Sequence, residues 1–264
     1  MVHKPQNEKK LNMLITAGAV FFWLAVWQWV SAAIRQEILL VSPVSVLLRL
    51  SELVREEAFW TCVWFSLAGI SGGFLLAALS GVLAAALAYC FAPVRILLAP
   101  PVFAVKATPV ASFVILCLVW VSSRNLSVLI AFLMVFPIIY LNTLEGLQQT
   151  DRKLLEMAKI FRVTPLRRIV GIYLPQCRPY FLTGCRVSLG LCWKSGIAAE
   201  VIGLPDGSIG EMLYQAKIFL QTADLFAWTV VIVAISVVFE KLFLWRSEIC
   251  IFFYSTVFAR ERSI

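Results

Sequence analysis

Lys106, Arg186, Lys194 and Glu200 are ionisable residues set inside long apolar stretches of the chain. A charge at membrane depth is costly and by default faces protein or a water-filled path. On a helix Glu200 lies nearly above Arg186 but about 21 Å further along, and Lys194 lies about 9 Å below Glu200 on another side. None of these three can pair within its own helix. Partners must come from other helices, from a second copy of the chain, or from water in a pathway. Lys106, just before Thr108-Pro109, belongs to the same group. The chemistry on offer is ion pairing inside a helical bundle or the lining of a path for a polar solute.

Covalent chemistry has little to work with. The only histidine is His3, in the polar start of the chain, which removes His-based triads, His-ligated zinc and His proton relays. Seven cysteines (Cys62, Cys90, Cys117, Cys177, Cys185, Cys192 and Cys250) stand singly in apolar stretches with no C-x-x-C pair. That pattern fits small buried hydrophobes rather than a disulfide framework or a metal site. There is no G-x-x-x-x-G-K-[ST] phosphate loop, and Lys194-Ser195 lacks the glycines. An intramembrane enzyme would need a convergent nucleophile and base or a metal, and the spans carry no histidine and no paired carboxylates. We therefore expect no catalytic residue, no metal and no cofactor in this chain.

The elements that must position the charges are set by composition. The 264 residues are 61% hydrophobic and 14% charged, against about 45–50% and 25% in ordinary globular domains. Lipid must be the solvent for much of such a surface, and spans of about 20 residues leave room for little else. Apolar runs predict an all-α chain of six spans, at about 12–33, 61–91, 96–121, 126–148, 176–203 and 225–247. Residues 43–57, within an extracytoplasmic segment 34–60, alternate apolar and charged at helical spacing and predict a helix lying on the membrane surface. Polar tails are expected at 1–11 and 248–264.

Basic residues orient the spans. Fifteen, including Lys4, Lys9, Lys10, Arg95, Arg152, Lys153, Arg167, Arg168, Lys241, Arg260 and Arg262, fall on one side, and five (Arg35, Arg49, Arg55, Arg124 and Lys217) on the other. The positive-inside rule puts both termini and the 149–174 loop in the cytoplasm. The net charge of +8 is thus a topology signal and not one for nucleic acid. The first apolar run, about 20 residues, exceeds the 7–15 of a secretory signal, so it reads as an uncleaved span.

Small residues recur every fourth position in the second span (Gly69, Gly73, Ala77, Gly81, Ala85) and in the fifth (Gly184, Ser188, Cys192, Gly196). Such ladders let helix backbones approach closely in lipid.

The polar stretch 149–175, QTDRKLLEMAKIFRVTPLRRIVGIYLP, carries the most specific pattern. Thr150 or Asp151 can cap a short helix with an apolar stripe of Leu154, Leu155, Ala158 and Phe161. Thr164-Pro165 starts a second, in which Leu166, Ile169, Val170 and Tyr173 recur at helical spacing. Leu174-Pro175 is expected to break the chain before the fifth span. Two amphipathic helices here either dock a partner or lie on the bilayer.

This loop resembles the cytoplasmic Glu-Ala-Ala motif of bacterial binding-protein-dependent ABC importer permeases. Glu156, Met157 and Ala158 occupy the first triplet, and Ile172, Leu174 and Pro175 fall at the family's spacing; Arg162 stands where the family has Gly, which puts the turn geometry in question. Residues 176–215, Ser42-Pro43, Ser66-Leu67 and Lys106-Ala107-Thr108-Pro109 resemble the nitrate, sulfonate and taurine type of permease, so that the likeness covers about 40–250. It implies the type I ABC importer (MetI-like) permease fold in a bacterial inner membrane. It also implies one half of a pore, usually a homodimer, with an ATPase dimer docked on Glu156, Met157, Ala158, Arg162, Leu174 and Pro175, and an extracytoplasmic solute-binding protein. ATP would be bound by the partner ATPase. Lys106, Arg186, Lys194 and Glu200 are the candidate pathway residues, for a nitrate-, sulfonate- or taurine-like anion or a thiamine-precursor-like molecule. The rival reading is a stand-alone carrier or channel using the same four charges.

Overall fold

The computed structural model describes residues 6–34, 36 and 38–260, with side chains described between residues 14 and 246. His3, Lys4, Arg35, Arg262 and the side chains of Lys9, Lys10, Cys250 and Arg260 lie outside the described residues. The element order is α1 (Gln6–Ile34), α2 (Pro43–Leu53), α3 (Glu57–Cys90), α4 (Ala92–Ala107), α5 (Val110–Cys117) and α6 (Ser123–Gln148). There follow α7 (Arg152–Ile160), α8 (Pro165–Arg168), a π turn (Ile169–Tyr173), α9 (Leu174–Gly203), α10 (Ile209–Ile218) and α11 (Thr222–Arg260). Among the described residues there is no strand. Where tails were expected, the backbone is already helical at 6–11 and still helical at 248–260.

Among the described residues four helices are long and apolar enough to cross a membrane: Leu14–Ile34, Glu57–Cys90, Ser123–Gln148 and Thr222–Arg246. The expected third span is α4 and α5, bent by 108°. Thr108 precedes a proline, whose ring disfavours the helical conformation of the residue before it. Thr108 is accordingly extended (φ −88°, ψ 133°), and its hydroxyl donates to the Ala104 carbonyl at 2.8 Å. The fifth expected span, α9, has 30 residues, long enough to cross at 1.5 Å per residue. It carries too many polar groups to pass as a lipid-facing span, and much of it is covered by protein.

The chain divides into two compact units, 1–60 with 212–231, and 61–211 with 232–264. In the first, α2 is capped by the Ser42 hydroxyl, which accepts the Ser45 N–H at 3.1 Å, with Pro43 at its first position. The Trp27 indole donates to the Val41 carbonyl at 3.0 Å, and Thr222 Oγ donates to Ile38 at 2.7 Å. Arg49 pairs with both Asp224 and Glu52, and Phe59 stacks on Trp228 with centroids 5.0 Å apart.

In the second unit α6 and α9 pack extensively against each other. The small-residue ladders sit at the contacts among α3, α6 and α9. A Cβ on Gly73 would lie 2.4 Å from the Val128 carbonyl oxygen of α6, and one on Gly196 would lie 2.6 Å from Ile70 of α3. Only glycine permits these approaches. Leu126, Ile130 and Met134 of α6 close a core with Val114, Cys117 and Ala199. A second core joins Ala85, Ala88, Val102, Tyr140 and Leu144. Phe74 meets Phe243 edge-on at 4.9 Å, and Trp193 meets Phe239 at 6.0 Å.

Candidate coupling loop and translocation face

The loop forms as its caps direct. Asp151 Oδ1 accepts the Lys153 N–H at 2.9 Å and starts α7, while the Asp151 N–H donates to Gln176 Oε1 at 2.8 Å, fastening the helix start to the foot of α9. At its other end the Val163 N–H reaches the Ala158 carbonyl at 2.9 Å and the Arg162 N–H reaches Lys159 at 3.1 Å. This pair of bonds is the Schellman ending, whose C′ position is left-handed and usually glycine. Arg162 takes that conformation, φ +49°. The turn that Gly would make is therefore kept with arginine, at the steric cost of a Cβ in the left-handed region. An Arg168 guanidinium N–H donates to the Val163 carbonyl at 3.1 Å and closes the loop.

The exposure of the motif residues is uneven. Glu156 and Met157 are exposed, with Ile160, Phe161, Leu166 and Ile169 beside them in sequence as exposed apolar side chains. Ala158 is buried, facing its own chain. Leu174 and Pro175 are exposed.

The break expected at Leu174-Pro175 does not occur. The backbone runs from Pro165 to Gly203 without interruption, through the π turn. There the Leu174 N–H bonds to Ile169, five residues back. A proline has no N–H for the turn below and its ring crowds the carbonyl four residues earlier. Widening the turn to the i→i+5 pattern accommodates both. Beside it the rings of Tyr89 and Tyr173 meet edge-on at 5.7 Å, their hydroxyls 3.4 Å apart.

Higher on α9, burial sorts the charged residues. The buried face carries Gly184, Cys185, Ser188, Leu189, Cys192, Ser195, Gly196 and Glu200. The opposite stripe leaves Thr183, Arg186, Gly190 and Lys194 exposed, and Lys106 of α4 is exposed as well. Glu200 does not share this face: it is fully buried, and one carboxylate oxygen accepts the Ser66 hydroxyl at 2.6 Å. Sequence reasoning left Ser66 without a role, although Ser66-Leu67 lay in a stretch already singled out. No periodicity pairs a residue with one 134 positions away.

Residues 77–245, more than half of the chain, match the family described as "Binding-protein-dependent transport system inner membrane component". The chain belongs to that family. It is 28% identical over 236 residues to the putative aliphatic sulfonates transport permease protein SsuC of Bacillus subtilis, covering 85% of each chain. With the bicarbonate transport system permease protein CmpB of Synechococcus elongatus it shares 23% identity, covering 92% of this chain and 91% of the relative. The formylaminopyrimidine transport permease protein ThiX of Halalkalibacterium halodurans is 28% identical, over 70% of this chain and 74% of its own. Among solved structures, a chain of "Crystal structure of an amino acid ABC transporter with histidines" superposes with a TM-score of 0.52 at 17% identity. It covers 80% of this chain and 96% of its own, which shows the fold: the MetI-like, all-α permease architecture.

Proposed function

We propose that this chain is the permease subunit of an ATP-driven importer, forming one half of a homodimeric path for a small solute. The observation that carries the reading is the unbroken helix 165–203. It joins a basic loop with exposed apolar side chains and the exposed Glu156 at one end to the exposed Thr183, Arg186, Gly190 and Lys194 stripe along its length. An exposed apolar cluster on a polar loop marks a docking surface. A partner ATPase that closes on ATP would grip Glu156, Met157 and their apolar neighbours. The displacement would then travel along a rod of roughly 58 Å. Ala158, buried beneath, would set how closely α7 sits on the chain. Arg162 would hold the turn, with Leu174 and Pro175 at its foot.

A basic and polar stripe facing lipid would be costly, so Arg186 and Lys194, with Lys106, are assigned to the path or to its seam with the second copy. Positive groups there suit anionic solutes. The names of the relatives, for sulfonates and bicarbonate, agree with that, and the formylaminopyrimidine relative keeps a neutral pyrimidine in view. An extracytoplasmic binding protein would deliver the solute, with both termini in the cytoplasm of a bacterial cell and the chain multi-pass in the inner membrane.

The test is reconstitution of the permease in lipid vesicles with its partner ATPase and solute-binding protein. Labelled alkanesulfonate, bicarbonate, nitrate and formylaminopyrimidine are offered in turn. ATP-dependent accumulation of one of them is expected. Equal uptake by the permease alone, without ATPase or ATP, would replace this reading with the stand-alone carrier.

A further inference from the structure

Glu200 is a carboxylate with no exposure, in a helix whose Arg186 and Lys194 are exposed. Its Oε2 accepts the Ser66 hydroxyl of α3 at 2.6 Å and the Gly210 N–H at 3.3 Å. Ser66 Oγ in turn accepts the Ile209 N–H at 3.0 Å. Ile209 and Gly210 are the first residues of α10, whose N–H groups have no partner inside that helix. Two side chains thus satisfy two orphan donors, and the carboxylate sits at the helix end where negative charge is favoured.

The same residue also ends α9. Leu204, left-handed at φ +50°, donates its N–H to the Glu200 carbonyl at 2.8 Å. The approach between α10 and α9 is as close as backbones allow: a Cβ on Gly210 would lie 2.3 Å from Glu200 Cβ and 2.6 Å from the Val201 nitrogen. Glu200 Oε1 and the Ser127 hydroxyl are buried near one another, and neither makes a hydrogen bond of good geometry among the described residues. The two bonds of good geometry fall on the oxygen that faces Ser66 and Gly210, with the Ser127 hydroxyl beside the carboxylate.

We infer that Glu200 and Ser66 are a latch that fixes the start of α10 to the first third of α3 and the end of α9, and so position the outer end of the transport path without touching the solute. The inference rests on the permease reading for its consequence in transport, but not for its geometry. Glu200 lies six residues beyond Lys194, so the latch sets where the outer turn of the exposed stripe stands. A burying helix pair without such a fastening would leave two N–H groups and a carboxylate unsatisfied in an apolar site.

The experiment compares wild type with Glu200→Ala, Glu200→Gln and Ser66→Ala in the complete vesicle-embedded importer. Amide exchange at Ile209 and Gly210 is one readout. The second is uptake of whichever of the four solutes the wild type accumulates, split into maximal rate and half-saturation. Glu200→Ala should speed exchange at these amides by about tenfold or more, the effect of losing a buried hydrogen-bonded acceptor. Maximal uptake should fall by a similar, roughly tenfold, factor with half-saturation unchanged. Glu200→Gln, whose carbonyl can replace Oε2 and whose amide can reach Ser127, should restore both. Ser66→Ala should fall between them and serves if Glu200→Ala does not assemble.

Unchanged exchange in both alanine variants would overturn the latch, as would faster exchange with uptake untouched. A Gln variant as inactive as Ala with a raised half-saturation would also overturn it, because charge on the solute would then be the role. A wild-type complex with no ATP-driven uptake would count against the importer reading instead, and the exchange comparison would still decide the latch.

Discussion

The seam where α3, α6 and α9 meet and the loop 151–173 are parts of one folding unit built to opposite rules. In the seam, small residues bring backbones together, and the tolerance is less than a methyl group: Gly73 abuts a carbonyl oxygen. In the loop, large apolar side chains stand exposed on a short helix held by end caps and by Gln176. The seam spends its residues on internal contact, whereas the loop keeps Met157, Ile160 and Phe161 outward. Damage to the first should cost folding, and damage to the second should cost coupling while the protein still folds.

Gly73→Leu should break that comparison from the side of the seam, with the largest effect. Filling a site with no room forces backbone shifts that cost about 3 kcal/mol or more. The expected result is loss of folded permease from the membrane, read by its yield and its elution in detergent. A well-folded Gly73→Leu protein would mean that the seam is not close-packed.

On the loop side, Glu156→Lys should lower ATP-driven uptake by about tenfold or more, equivalent to about 1.4 kcal/mol or more. Its thermal midpoint in detergent should stay with wild type, because Glu156 is exposed. A variant that still transports would defeat the coupling role, and one that unfolds would erase the contrast with the seam.

Pro175→Ala sharpens the comparison at the junction. With an N–H restored, the widened turn 169–173 can tighten to an ordinary α-helix. That would rotate the loop relative to α9 by a fraction of a turn. Uptake should drop several-fold with little change in thermal midpoint, and a structure of the variant should show the π turn gone.

The smallest effect belongs to Arg162→Gly. Relieving a left-handed non-glycine residue gains about 1–2 kcal/mol, against roughly 0.5–1 lost to glycine's flexibility in the unfolded chain. A thermal midpoint higher by about 2 °C is expected. A lower one would mean that the Arg162 side chain contributes contacts of its own.

Much of the molecule was legible in the sequence because it depends on local rules. Apolar run length located α1, α3, α6 and α11, and the Ser42-Pro43 and Asp151 starts lie where capping chemistry puts them. The spacing of small residues foretold the close helix contacts. The prolines were legible only in part. Leu174-Pro175 read as a break and is absorbed in a π turn, whereas Thr108-Pro109 lay inside one expected span, 96–121, and bends the chain by 108°. A sequence states that a proline lacks an N–H, not whether the surroundings will let the helix widen around the gap.

Composition and charge asymmetry by themselves determined an all-α, multi-pass membrane protein, and the loop motif pointed to its family. Only tertiary structure decided that Glu200 turns inward to Ser66 while Lys194 turns outward, and that Ala158 is covered while Met157 is not. The physical reason is range. Hydropathy, capping and helix periodicity act over one or two turns, whereas the surroundings of a charge are set by helices that meet it from more than a hundred residues away.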